Sequence, residues 1–118
     1  MKRVWLFALV AGLLGAGCGQ KQDPVGSDAG IDGPVGYAQQ IKPILDANCI
    51  RCHAAGLQGT RRNGAPPGFD YDSYEPAQAT AERANAQIQS GSMPAGSGPL
   101  SDGDKGLFQA WIDQGTPE

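Results

Sequence analysis

The sequence predicts an all-α domain of three to four helices, and three observations predict it. Apolar residues recur at helical spacing across 37–47 and again across 107–112. The stretch 76–89, PAQATAERANAQIQ, is rich in helix formers. No stretch alternates apolar and polar residues as a half-buried strand would. The chain has 118 residues, enough for one small domain.

The first element is a leader. Lys2 and Arg3 precede an apolar run from Val4 to Leu14 and then small residues, the pattern of a secretory signal over 1–17. The run is shorter than the roughly 20 apolar residues of a spanning helix. LLGAGC, residues 13–18, resembles the lipobox of bacterial lipoproteins, which makes Cys18 the expected lipid anchor. Gly15 stands three before that cysteine, where leucine is commonest, and plain cleavage nearby is the alternative. Export to the periplasmic side follows in either case. Losing Lys2 and Arg3 moves the formal charge from −3 to −5. An acidic product with no basic stripe does not suit nucleic acid, and its charge favours steering towards a basic partner surface.

Residues 18–36 follow as the anchored start and a Gly-, Asp- and Pro-rich tether. Asp23, Asp28 and Asp32 lack the closing glutamate of a calcium loop. About 17 such residues reach roughly 20–25 Å. The folded part is then 37–118, a size that is marginal without a staple or a large cofactor to pack around.

The first helix spans 37–47. Tyr37, Ile41, Ile44 and Leu45 share one face, and Pro43 either kinks the helix or marks its start. Asn48 stops it. Cys49, Ile50, Arg51, Cys52 and His53 come next and spell C-x-x-C-H, the pattern for covalent attachment of a c-type haem. Both cysteine sulfurs add to haem vinyl groups as thioethers, and the adjacent histidine binds the iron. Shuffling this composition produces the motif about once in 2,000 arrangements, so chance is a weak rival. Zinc needs four ligands, and no second Cys/His pair exists. A thioredoxin-like C-x-x-C sits in a βαβ setting, which is missing. A Cys49–Cys52 disulfide leaves His53 and the thin core unexplained.

Residues 54–72 read as irregular, with NGAPPG at 63–68 as the strongest turn signal. Arg61 and Arg62 are either solvated loop arginines or partners for haem propionates. The second helix covers 76–89, with Pro76 in its first turn and Ser90-Gly91 as its stop. SGSMPAGSGP, 90–99, is a loop. Met93 within it is the sixth-ligand candidate by elimination, because His53 is the only histidine and Met1 leaves with the leader. Pro94 biases Met93 towards an extended backbone, and the flanking glycines allow close approach to a flat ring. The last helix starts at Ser101, which forms a capping-box-like pair with Asp104. Leu107, Phe108, Trp111 and Ile112 lie on one face, and Gly115 ends it.

The pattern I-x-P-I-L-x-x-x-C-x-x-C-H, then Y-D/E, I-x-x-G-x-M-P, L-S-x-x-D/E and W-I-x-x-G resembles small monohaem class I cytochrome c domains of bacterial exported lipoproteins. It covers nearly all of 37–115. The resemblance implies a class I cytochrome c-like fold around one covalent haem c. It assigns Cys49 and Cys52 to the thioethers and His53 and Met93 to the iron. It also implies that the first and last helices cross near the haem edge, with Leu107 and Trp111 joining Pro94 in the pocket. The length and content of 54–72 depart from the pattern.

Iron held by His and Met has no open position, and thioether ligation favours the reduced ion. The expected function is therefore a monomeric electron carrier rather than an enzyme, docking transiently on other redox proteins. One alternative is a five-coordinate haem sensor or peroxidase-like enzyme, which needs Met93 as a bystander. Another is a lipoprotein binding module without functional haem.

Overall fold

The computed structural model describes residues 31–118. The expected leader, Cys18 and the expected tether up to residue 30 lie outside the described residues. Those described are helical, with no strand among them, as the periodicity predicts. None of their helices is long and apolar enough to cross a membrane.

The chain enters through a π-helical turn, Tyr37–Ile41, in which the Lys42 N–H donates to the Tyr37 carbonyl five residues back. It then tightens into α1, Lys42–Asn48, with Pro43 in the first turn. A missing N–H is harmless there, so Pro43 marks a change of winding rather than an interruption. Tyr37, Ile41, Ile44 and Leu45 are all buried, the four residues that the spacing puts on one face.

The expected helix over 76–89 is two helices. These are α2, Tyr74–Ala79, and α3, Ala81–Gln89. Thr80 separates them at φ −116° and ψ 9°. Its hydroxyl donates to the Pro76 carbonyl at 2.8 Å, and its own N–H reaches the same oxygen at 3.2 Å. A side chain that bonds its own backbone competes with the helical ladder, and here the ladder breaks. Ala81, Ala84 and Ile88 form the buried face of α3.

The last helix, α4, is Asp102–Asp113. Ser101 caps it as the sequence predicts: its hydroxyl oxygen accepts the Asp104 N–H at 3.1 Å, and its O–H donates to the Asp104 carboxylate at 2.8 Å. Gly115, at φ 84°, ends it in the left-handed region that glycine tolerates. Phe108 and Trp111 are buried in an aromatic core. Tyr37 lies 6.1 Å from Trp111 and 5.2 Å from Tyr74, and Phe108 meets Trp111 edge-on at 5.6 Å. The start of the first helix thus packs on α4. Asn85 of α3 donates to Gln109 of α4 at 2.7 Å.

The boundary expected at residue 36 lies too late. Val35 is only 1% exposed, and Ile31 packs against the core. Gln114 clasps this segment: the Val35 N–H donates to its side-chain carbonyl at 2.8 Å, and its amide donates to the Gly33 carbonyl at 3.0 Å. The Tyr37 N–H then meets the Pro117 carbonyl at 3.0 Å. Burying one valine contributes about 2 kcal/mol, enough to hold a short polar segment with the domain. The folded part therefore reaches back to at least Ile31.

Candidate functional site

The C-x-x-C-H segment winds directly off α1. Cys49 is the helix C-cap, and its N–H donates to the Leu45 carbonyl at 2.8 Å. Its own carbonyl accepts the N–H of Cys52 at 3.1 Å and of His53 at 2.9 Å. This turn puts Cys49, Cys52 and His53 along one wall of a cavity of about 330 Å³. Both cysteines are free thiols. Burial pushes the Cys49 thiol up to about 11, so it is protonated at neutral pH, unlike the low-pKa thiolate of a redox dithiol. Among the described residues no three His, Cys, Asp or Glu side chains stand close enough to share a metal ion, so the zinc reading lacks its ligand set there.

His53 is held by the chain returning from the 54–70 loop. Its Nδ1 lies 2.8 Å from the Phe69 carbonyl, and its own carbonyl accepts the Tyr71 N–H at 2.7 Å. The Tyr71 ring tilts against the imidazole at 5.0 Å. A carbonyl oxygen can only accept, so Nδ1 carries the proton. The neutral ring then keeps its lone pair on Nε2, the form in which histidine binds a metal.

That returning loop is organised by Arg62, which is buried, whereas Arg61 is exposed. Loop 54–70 contains a single helical turn, the 3₁₀ turn Gly59–Arg62. The Arg62 guanidinium donates to the carbonyls of Ala54, Leu57, Ala65 and Pro66 and, at 2.8 Å, to the Asp70 carboxylate. Those bonds use all five of its N–H groups. Arg62 is therefore neither solvated nor free for a propionate. Asn63 and Gly64, both at positive φ, turn the chain beyond it. There the N-G signal works as read, since glycine adopts that conformation without strain.

Met93 closes the site from a distance of 40 residues in sequence. Gly91 turns the chain off the end of α3 at φ 76°, and the Met93 N–H donates back to the Gln87 carbonyl at 3.1 Å. Met93 is partly buried, Pro94 is buried, the bond between them is cis, and both residues line the cavity. Leu107 and Trp111 do not line it. Trp111 belongs to the aromatic core, with its ring N–H on the Pro117 carbonyl at 2.7 Å, and Leu107 packs against that core. Helical spacing placed both on the inner face of α4, and that face turns towards Tyr37 instead.

Sequence reasoning did not reach the rest of the lining. Phe69 and Arg83 line the cavity, with the Arg83 guanidinium 4.8 Å above the Phe69 ring, a cation–π contact. Ile88 and Leu45 supply apolar surface. Among the described residues, every charged residue of the lining is an arginine, namely Arg51, Arg62 and Arg83. The cavity thus reverses the sign of a chain with twelve acidic and nine basic residues. Two thiols, an imidazole and a thioether share a cavity that, among the described residues, is lined by no carboxylate. Those residues could hold a flat, apolar, metal-bearing ring.

No family model matches the chain, and neither a curated protein nor a solved structure shows detectable similarity to it.

Proposed function

We propose that this chain is an exported monohaem c-type cytochrome that carries single electrons between other redox proteins. In this reading the domain is a class I cytochrome c-like fold around one covalent haem c, monomeric and tethered through a lipid on Cys18. The observation that carries the proposal is convergence. The motif residues Cys49, Cys52 and His53 and the remote Met93 line one cavity.

Cys49 and Cys52 would hold the ring by thioether bonds, and His53 and Met93 would hold the iron. The haem, when bound, supplies one-electron exchange between ferrous and ferric iron. The remaining work belongs to the chain. Phe69 fixes the histidine tautomer through its carbonyl, so Nε2 is the nitrogen left for iron. Met93 would supply the second iron ligand, which would leave no position for oxygen or substrate and favour the reduced ion. Leu45, Ile88 and Phe69, which line the cavity, would exclude water from the ring. With His53 and Met93 holding the iron in either oxidation state, little would have to move when an electron arrives.

The test is the visible spectrum of the exported protein, oxidised and reduced, after expression with c-type maturation proteins. Low-spin c-type bands on reduction, with a weak far-red sulfur–iron band on oxidation, are expected. A high-spin spectrum would shift the reading to a ligand-binding sensor or peroxidase-like enzyme. A protein that takes up no haem would remove both and leave a lipoprotein binding module.

A further inference from the structure

Arg51 occupies the turn between the two cysteines of the motif, and its side chain is exposed. Its guanidinium nonetheless reaches 44 residues along the chain, where Nη2–H donates to the Ala95 carbonyl at 3.3 Å. Arg51, Met93, Pro94 and Ala95 all line the cavity. The other hydrogen bonds of Ser92 and Met93 run back towards the end of α3, to Ser90 and to the Gln87 carbonyl. One end of the loop is thus fastened to α3, and Arg51 ties the far side of Met93 to the attachment turn.

We infer that Arg51 is a positioning residue for Met93, a strap across the cavity that holds the methionine loop against the iron side of the site. The inference rests on the haem reading above. Thioether bonds at Cys49 and Cys52 would immobilise the backbone on both sides of Arg51. The root of the strap is then fixed relative to the ring, and its tip restrains the residue two positions after Met93. Arg51 touches neither iron nor sulfur. It acts by disfavouring the conformation in which the loop swings away. A charge-assisted hydrogen bond at an exposed site changes such an equilibrium by about fivefold.

The experiment is an imidazole titration of the oxidised, haem-loaded protein, since imidazole replaces a thioether on ferric iron. Arg51→Ala is expected to bind imidazole about fivefold more tightly and to lose the far-red sulfur–iron band at correspondingly lower imidazole. Arg51→Lys, which keeps one donor, should recover part of the difference. Arg61→Ala should match wild type, because Arg61 is an exposed arginine outside the cavity lining. Thermal midpoints by circular dichroism separate this from a merely structural role, which would lower the midpoint without moving the imidazole affinity. If Arg51→Ala does not retain haem, Arg51→Leu, which also lacks a donor, carries the same expectation. Wild-type affinity in the loaded variant overturns the strap alone. A wild-type protein without the sulfur–iron band overturns the strap and the His53/Met93 reading together.

Discussion

Met93 places one whole side of the proposed iron site on a single flexible side chain. Replacing it with alanine should leave covalent haem in place, lower the reduction potential and open the iron to added cyanide. An unchanged potential by protein-film voltammetry would exclude Met93 as a ligand. Cys49 offers a second check in chain expressed without maturation factors. Burial disfavours the thiolate and raises the pKa to about 11. Alkylation by iodoacetamide should therefore climb about tenfold per pH unit between roughly pH 7 and 10 and level off only above about 11. A plateau near the ordinary thiol value would contradict that burial. These residues were legible in the sequence because their types are scarce and their spacing is chemical. Arg62 was not, since an arginine in a polar loop carries no sequence mark of burial. Only the backbone carbonyls around it show that it is an internal fastener.

The loop over 54–70 behaves as an element, although its only helical turn is short. Arg62 is buried and Asp70 partly so, with side chains 9% and 17% exposed, and the guanidinium gathers carbonyls from both ends of the loop. Arg62→Ala should lower stability by about 3 kcal/mol, because it leaves Asp70 and several carbonyls buried without a donor. Arg62→Lys should not restore it, as one ammonium cannot serve acceptors arranged around a planar fork. Chemical denaturation of the loaded protein measures both, and a lysine variant of wild-type stability would contradict the hub. Among the helices, α4 and its cap were legible because Ser101, Asp104 and Gly115 signal the ends directly. The break at Thr80 was not, because a helix-friendly composition hides a single hydroxyl turned back on its own backbone. The π-helical start at Tyr37 was equally hidden, since the apolar spacing suits either winding.

At the scale of the whole molecule, an exported leader and a lipid anchor are proposed ahead of a small helical domain. Cys18→Ala should release the exported protein from membranes into the soluble fraction. Its retention on the membrane after fractionation would remove the lipid anchor from the proposal. The fold class was legible at this scale because helical periodicity survives in a small domain. The domain's first residue was not, for Val35 sits in a Gly- and Pro-rich run that reads as linker until Gln114 and the C-terminal segment close on it. That closure has a mechanical consequence. A tug on the chain ahead of Ile31, as from an anchor, is borne first by the two hydrogen bonds of Gln114, by buried Val35 and by the Tyr37–Pro117 bond. None of those residues lines the cavity. The load path of such an anchor would therefore run through the paired first and last described segments, and the cavity would be spared the strain.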